Sequence, residues 1–304
     1  MTSAPPHTPL DRGGLAVGMA APVLWGLFPV YWPLLEPAAP LEVLAHRLLW
    51  TSVLMAGVLT LLRGWGALRA LSAGGRARVA AAAALITVNW GVFIYGVAVD
   101  RVVDIALGYY ISPLVSTLLA ILVLRERPSR AQVAALVVAT VAVLVIGIGS
   151  GSPPWLGLAL AGAFGVYGLL EKTVALPATA SLTAESLVVA PLAVAYIGVL
   201  QATGHGTFTD HGGGHVALMV LSGPVTALPL LLYGAAARRI PLTVLSTLMY
   251  LTPTLQFLWG VLVLDETMPP TRWVGFGLVW GALTIFTVDL VRSSRRPQPV
   301  RSIV

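Results

Sequence analysis

The sequence lacks cysteine and has few charged residues. No cysteine occurs among the 304 residues, which excludes a disulfide framework and any thiolate metal or redox site. Only 10% of the residues are charged, whereas 57% are hydrophobic, and the mean hydropathy is +0.88. A water-soluble globule of this length needs more polar surface. The composition therefore predicts a protein of the lipid bilayer.

The sequence also has only one lysine and no nucleotide-binding motif. Arginine supplies all but one of the 18 basic residues, and the net charge is +6. These arginines lie in short segments between apolar runs, so no nucleic-acid partner is predicted. No glycine-rich P-loop is present, which excludes ATP-driven pumping by this chain alone. We expect neither a cofactor nor a metal.

Ten apolar segments have about the length that a membrane-spanning helix requires. They are residues 15–34, 43–62, 79–99, 103–124, 131–149, 155–171, 182–201, 216–237, 241–264 and 273–291. The apolar stretch at residues 13–35 is too long for a cleavable signal peptide, so we interpret it as the first span. The predicted fold is all-α and polytopic, with ten transmembrane helices.

The positions of the arginines predict the orientation, because cytoplasmic loops of membrane proteins are enriched in basic residues. With both termini in the cytoplasm, 15 of the 18 basic residues fall on the inner side. The sequence thus predicts a multi-pass protein of the cytoplasmic membrane. Residues 1–14 and 292–304 are then a cytoplasmic N-terminal tail and a basic cytoplasmic C-terminal tail.

The chain contains a repeat. The segment YYISPLVSTLLAILVLRE at residues 109–126 returns as MYLTPTLQFLWGVLVLDE at residues 249–266, an offset of 140. Each half, 15–150 and 151–291, then holds five spans, and an odd number inverts the second half. The loops agree, because RERPSR in the first half becomes DETMPP in the second. Inverted repeats are typical of alternating-access transporters with a site between the halves.

These residues resemble a known family. The chain is similar to the RarD-type permeases of the drug/metabolite transporter superfamily, which have two EamA domains. The resemblance covers about residues 10–295 and rests on His46-Arg47 with Trp50, Asn89-Trp90, Gly108-Tyr109 with Pro113-Leu114, Glu126-Arg127, and Pro253-Thr254 with Glu266. Two positions depart from the family pattern, where Arg125 and Thr252 replace its usual glycines. The resemblance implies a permease with two five-helix repeats.

Polar and aromatic side chains on three segments are candidates for the substrate cavity. Proline frees the carbonyl four residues earlier, and such groups are tolerated in a membrane where they face protein or a wet cavity. Pro113 and Pro253 occupy matching positions beside polar stripes; backbone-bonded kinks are the alternative explanation. The candidates are Asn89, Trp90, Tyr95, Tyr109, Tyr110, Ser112, Pro113, Ser116, Tyr250, Thr252, Pro253 and Gln256.

Ionisable residues within spans are costly and need an explanation. Four are candidates for proton coupling: His46, Arg47, Asp104 and Glu185. For Arg47 and Asp104, snorkelling or ion pairing near the interface is the alternative. His46 and Glu185 occupy corresponding positions in the repeats, and we expect one of them to take up a proton during transport.

Other features have structural interpretations. The fifth and tenth segments contain no proline and are predicted at the periphery, where Gly277 and Gly281 offer a face for helix pairing or a homodimer. Glu126 and Glu266 are expected to pair with arginine or to cap the helix that follows. The glycine-rich segment 205–215 is predicted to be a solvated outer loop rather than a metal site.

The leading function is secondary transport of small metabolites or drugs, with proton coupling as one form. We expect a neutral, zwitterionic or amphiphilic substrate, because the candidate cavity residues carry few charges. A channel or facilitator is the alternative. An intramembrane enzyme is less favoured, because Asp104 and Glu185 have no second carboxylate at comparable depth. The lipid bilayer and a small-molecule substrate are the expected partners.

Overall fold

The protein is α-helical throughout its described part. The structure is a computed structural model that describes residues 11–125, 127–149, 151–171, 173–240 and 242–294. Glu126 and most of both predicted tails lie outside these residues. The helices are α1 (Arg12–Gly26), α2 (Phe28–Tyr31), a 3-10 helix (Trp32–Leu35), α3 (Pro40–Leu61), α4 (Trp65–Arg69), α5 (Ala73–Ala98), α6 (Val102–Leu124), α7 (Arg130–Gly149), α8 (Trp155–Glu171), α9 (Ala178–Ala202), α10 (Gly212–Ala237), α11 (Leu242–Leu248), α12 (Leu251–Leu262) and α13 (Pro270–Ser294).

Seven helices of the described part are long and apolar enough to cross a membrane: α3, α5, α6, α7, α9, α10 and α13. An eighth span results if α1, α2 and the 3-10 helix, bent by 44°, count as one. Helices α8 and α12 are apolar but shorter, with 17 and 12 residues. All ten predicted segments coincide with helices, but the lengths by themselves support only seven or eight spans.

Proline accounts for the broken helices. Helix α1 ends at Gly26, and Pro29 follows within the first turn of α2. Helix α11 ends at Leu248, five residues before Pro253, whose ring would clash with the Met249 carbonyl of a continuous helix. The freed Met249 carbonyl accepts instead from the Thr252 N–H at 3.2 Å. The matching Pro113 lies inside α6, which is unbroken, so the two prolines have different effects.

Local caps agree with the sequence. Ser129 and Gln132 form a capping box at the start of α7: the Ser129 hydroxyl accepts from the Gln132 N–H, and the Gln132 side chain accepts from the Ser129 N–H. Arg125 and Asp265 end α6 and the α12 segment with φ of 57° and 51°. Glycine is favoured in this left-handed region. This conformation explains why the resembling family uses a glycine at the position of Arg125.

Three helix pairs each join one helix of the first half to one of the second: α3 with α9, α6 with α12, and α7 with α13. Helix α8 packs on α5 and α6, and α1 packs on α10 and α12. Helices α7 and α13 are the least buried of the seven long spans, which confirms their predicted place at the periphery. Gly277 and Gly281 face open space rather than another described helix. A homodimer through this face stays a prediction.

The bundle has two ends. Helices α6, α8 and α10 end at the first, which we call the Arg127 end. Helices α5 and α12 end, and α6 begins, at the second, which we call the Glu266 end. The described chain starts and stops at the Arg127 end: Asp11 pairs with Arg239 after α10, and Ser129 donates to Asp289 on α13. Large apolar side chains such as Ile148, Leu192 and Leu61 are exposed on the outside. Such a surface suits lipid contact.

Candidate functional site

A cavity of about 1120 Å³ lies between the two halves of the chain. Both halves line it, the first through α1 to α3 and α5 to α7, and the second through α8 to α13. At the Arg127 end its lining includes Arg127, Glu171, Thr179 and Arg238, of which Arg127 and Arg238 are exposed. The cavity therefore opens at the Arg127 end.

The Glu266 end is closed by contacts between segments far apart in sequence. The Glu266 carboxylate accepts hydrogen bonds from the Val102 N–H at 2.6 Å and the Val103 N–H at 3.0 Å. Glu266 thus caps α6, not the helix that follows it, because Arg101 before α6 has no side-chain acceptor. Burial raises the pKa of Glu266 to about 7, although these two amides favour the charged carboxylate.

Further contacts reinforce this closure. Tyr31 donates to the Leu218 carbonyl at 2.5 Å, and Glu42 accepts from the Thr207 N–H at 2.7 Å. The predicted solvated loop is thus partly packed, with Phe208 stacked on His46 at 4.5 Å between ring centroids. Among the described residues, no cluster of three or more histidine and acidic side chains could hold a metal.

The polar stripe of α6 lines one wall of the cavity. Tyr109 donates to the Asn89 side-chain oxygen at 3.2 Å, and the Asn89 amide donates to the Leu160 carbonyl at 3.2 Å. These bonds join α6, α5 and α8. Ser112, Pro113 and Ser116 continue the same wall. The Ser112 hydroxyl bonds the Gly108 carbonyl of its own helix at 2.7 Å, as the alternative explanation of the kinks expected.

The opposite wall comes from α12 and holds the bent first span. Thr252 donates to the Pro22 carbonyl at 3.1 Å, and the Gln256 amide donates to the Trp25 carbonyl at 3.3 Å. Pro29, four residues after Trp25, has no N–H to donate there, so Gln256 supplies the missing donor. The Gln256 side-chain oxygen is buried without a partner in the described structure. Trp90, Tyr250 and Pro253 also line the cavity.

Two of the predicted cavity residues lie elsewhere. Tyr110 is buried between helices, where its hydroxyl is 2.8 Å from that of Thr254 and its ring contacts Phe276 and Trp280. Tyr95 is 52% exposed on α5. Each lies one or two residues after a residue that lines the cavity. In a helix with 3.6 residues per turn, such a step points the side chain to a different face of the helix. Neither is among the residues that line the cavity.

Arg47 and Asp104 behave differently. Asp104 forms ion pairs with Arg101 and with Arg272, the latter at 3.2 Å, and it lies at the Glu266 end rather than in the cavity. Arg47 lines the cavity and is only 2% exposed. Its guanidinium carbon lies 4.1 Å from the ring centroid of Trp90 and 4.9 Å from that of Trp32. Arg47 neither snorkels nor pairs with an acid in the described structure.

Glu185 belongs to a buried acidic cluster that also contains Glu171 and Tyr167. The Ser181 hydroxyl is 2.8 Å from a Glu171 oxygen and 3.1 Å from a Glu185 oxygen, and Tyr167 donates to Glu185 at 3.3 Å. Glu171 and Tyr167 line the cavity, whereas Glu185 lies behind them. The sequence predicts no second carboxylate at a depth comparable to that of Glu185, and this prediction is wrong, because Glu171 at the end of α8 lies beside it.

His46 has no such route to the cavity. Its ring nitrogen Nδ1 accepts from Trp50 at 3.3 Å, and Nε2 is buried without a partner in the described structure. His46 is not among the cavity-lining residues.

Sequence reasoning missed several lining residues, including Phe28, Phe164, Tyr167, Glu171 and Tyr233. A signal existed for one of them. Trp25-Gly26 matches Phe164-Gly165 at an offset of 139 in the repeat, and both aromatic residues line the cavity. Because Trp25 is not among the predicted cavity residues, this match identifies Phe164 only after the structure places Trp25 in the lining.

Comparisons with known proteins agree with this architecture. The model of the EamA-like transporter family matches residues 12–148. Protein RarD of Streptomyces exfoliatus is 46% identical over 94% of this chain and 91% of its own. The uncharacterized transporter YojE of Bacillus subtilis is 40% identical over 90% and 93%, and protein RarD of Escherichia coli is 33% identical over 94% and 97%. A solved crystal structure with 16% identity superposes with a TM-score of 0.60 over 94% of this chain and 100% of its own, which shows the fold alone.

Proposed function

Because the chain belongs to the RarD family of EamA-containing transporters, we propose that it is a secondary transporter that exports small metabolites or drugs by alternating access. The chain is a multi-pass membrane transport protein and not an enzyme. Its cavity is the observation that carries the proposal, since both halves line it and it opens at only one end. A carrier needs such a site, which faces one side at a time.

The proposed topology has ten spans in two inverted five-helix repeats. Helices α1, α2 and the 3-10 helix form the first span, and α11 with α12 forms the ninth. The domains are then the repeats at 15–150 and 151–291, between the tails at 1–14 and 292–304. The ten proposed spans include α8 and α12, which are shorter than the other spanning helices. The equivalent φ angles of Arg125 and Asp265, 140 residues apart, support the repeat.

Helix packing also supports the inverted repeat. A two-fold axis that exchanges the halves pairs α3 with α9, α6 with α12, and α7 with α13, and each of these pairs is in contact. The same axis turns the α5–α8 contact into the α1–α10 contact, and the α6–α8 contact into the α1–α12 contact. Exchange of one half for the other therefore preserves the main contacts of the bundle.

Charge placement supports an inward-facing state. Arg12, Arg78, Arg127 and Arg238 lie at the Arg127 end, whereas Arg101 and Arg272 lie at the Glu266 end. By the positive-inside rule, the Arg127 end and both termini are cytoplasmic. The cavity then faces the cytoplasm, and the Glu266 cap closes the outer side. Transport requires the closing contacts to exchange ends.

Proton coupling is assigned to the acidic cluster. Glu171 and Glu185 share the Ser181 hydroxyl, and two neighbouring carboxylates cannot both be charged at low cost. A proton held between them is reachable from the cavity through Tyr167 and Glu171. This geometry favours Glu185 over His46 as the coupling residue.

Reconstitution tests the proposal. The protein in proteoliposomes is screened by thermal shift for ligands among metabolites and antibiotics, because a ligand of the folded state raises its apparent stability. Ligands found are then assayed for transport. Saturable uptake with counterflow is expected of a carrier. Unsaturable conductance without counterflow would instead establish the channel alternative.

A further inference from the structure

Arg47 is a buried cation whose charge is not neutralised in the described structure. It is 2% exposed, and among the described residues no ion pair involves it and its Nε and one terminal nitrogen have no hydrogen-bond partner. An arginine at the centre of a spanning helix costs about 2.5–3.5 kcal/mol by insertion scales. Buried charges in proteins are normally paired. The unneutralised charge and unpaired N–H groups of Arg47 therefore indicate that it binds an anion that the described residues do not supply.

The surroundings of Arg47 leave its hydrogen-bonding edge for a ligand. Trp90, Trp32 and Phe28 place their ring centroids 4.1, 4.9 and 5.5 Å from the guanidinium carbon. Aromatic rings stabilise a guanidinium through its flat face and accept no in-plane hydrogen bonds. Arg47, Trp90 and Phe28 all line the cavity. A molecule in the cavity can thus meet both the cation and apolar ring surface.

The charge along the cavity points to the same ligand. The described lining residues include three arginines, Arg47, Arg127 and Arg238, against one carboxylate, Glu171. Arg127 and Arg238 are exposed at the open end, whereas Arg47 lies seven residues into α3 from the closed end. Clefts lined by one sign of charge concentrate ligands of the opposite sign. This arrangement draws anions in and offers one buried cation at the bottom.

We propose that Arg47 binds the carboxylate of the transported molecule, and that this molecule is an organic carboxylate with an aromatic or apolar body packed on Trp90 and Phe28. A guanidinium matches a carboxylate through two parallel hydrogen bonds. One buried cation balances one negative charge, so a phosphate dianion is disfavoured. The inference rests on the proposed transport function and replaces a neutral substrate by an anionic or zwitterionic one.

Gln256 extends the proposed site. Gln256 lines the cavity, and its side-chain oxygen is buried without a partner in the described structure. It can accept a hydrogen bond from an N–H or O–H group of the same ligand. Zwitterionic carboxylates are therefore a natural subclass of the substrates.

Matched ligand pairs test the proposal on the purified full chain. Thermal shift is measured with indole-3-acetate, 3-phenylpropionate and N-acetylphenylalanine, each against its neutral amide. Wild type is expected to bind at least one carboxylate about 10- to 100-fold more tightly than its amide, the ratio that corresponds to one charged hydrogen-bonded contact. In Arg47→Gln this ratio falls to about one. The exposed Arg69→Gln on α4 serves as control and keeps the wild-type ratio.

Two results would overturn the proposal: a wild type that prefers no carboxylate over its amide, or an Arg47→Gln variant that keeps the preference. If Arg47→Gln is not recovered folded, Arg47→Lys decides, because lysine keeps the charge but loses the two-pronged geometry. Its preference is expected to fall at least about threefold, and an unchanged preference counts against the site. Counterflow separates the two proposals: saturable transport of neutral compounds alone keeps the carrier and removes the Arg47 site.

Discussion

At the scale of single residues, the buried charged side chains divide into those that have a partner and one that has none in the described structure. Asp104 and Glu266 meet arginines or backbone N–H groups at a helix start, so they serve the closure of one end. Within the described part of the chain, Arg47 meets aromatic faces and the cavity but no acid. A partnered charge stabilises the fold, whereas a buried charge without a partner indicates a ligand.

Glu266→Gln should reduce the pH dependence of stability. The pKa of Glu266 is raised from 4.5 to about 7 by burial, so the folded protein holds a proton that the unfolded chain releases between these values. Stability contributed by this group is therefore present below pH 4.5 and is lost as pH rises to 7. We expect the apparent Tm to fall less between pH 5 and 7.5 in Glu266→Gln than in wild type, as measured by thermal shift. Equal slopes would refute the assignment.

Glu185→Gln should uncouple transport from protons. Glutamine cannot share a proton with Glu171, so a pH gradient no longer drives uptake, while exchange of substrate across the membrane continues. The measurement compares gradient-driven uptake with counterflow in proteoliposomes, and a loss of at least about tenfold is expected in the first alone. His46→Gln is the matched control, because His46 does not line the cavity. Gradient-driven uptake that survives in Glu185→Gln contradicts the coupling role.

At the scale of helices, proline and glycine decide how closely the elements approach and where they break. Pro253 follows the break between α11 and α12, whereas Pro113 sits within a continuous α6. Gly108 and Gly157 bring the backbones of α6 and α8 together, because a Cβ on Gly157 would lie 2.9 Å from the Asp104 carbonyl oxygen. Small residues at such crossings are typical of membrane helix pairs.

Gly157→Ala should destabilise the protein. The added methyl group meets backbone atoms of α6, which cannot move aside without separating the helices, and overpacking of this kind costs about 1–3 kcal/mol. A lower apparent Tm is expected in thermal shift. Gly162→Ala in the same helix is the control: its methyl group meets open space, and alanine favours a helix. The pairing of α6 and α8 is wrong if both variants have the same Tm.

Pro253→Ala should impair transport more than Pro113→Ala. Alanine at 253 restores an N–H and removes the ring clash, which allows α11 and α12 to join and shifts Thr252 and Gln256 away from the first span. Alanine at 113 changes a helix that is already continuous. We expect at least about a tenfold loss of counterflow rate for Pro253→Ala, at an apparent Tm near that of wild type. Similar rates for the two variants would show that the break has no role in transport.

At the scale of the whole molecule, the absence of cysteine is useful. The chain has none, so single cysteines can be introduced without a background of native thiols. The two ends of the bundle differ in access: the cavity opens at the Arg127 end, and the 205–215 segment lies over the Glu266 end. Orientation and open state can thus be measured by labelling.

Labelling with a membrane-impermeant maleimide should distinguish the two sides. Ser116→Cys lies in the cavity and is exposed, so it should react in inside-out vesicles and be protected in right-side-out ones. Thr209→Cys in the exposed outer loop should show the reverse. If Ser116→Cys reacts from the outside alone, either the proposed orientation or the proposed open end is wrong. Thr209→Cys distinguishes the two, because its side of labelling reports the orientation alone.

Sequence and structure determined different properties. The membrane class, the ten helical segments, the peripheral α7 and α13 and ten of the twelve cavity candidates follow from apolar length, proline position and the 140-residue repeat, all of which are local patterns or comparisons along the chain. Only the tertiary structure paired Glu266 with α6, placed Glu171 beside Glu185 and, among the described residues, left Arg47 without an acid. The Glu266 bond spans more than 160 residues, and no spacing along the chain encodes it. Whether a buried charge has a partner depends on which helices meet, and packing decides that.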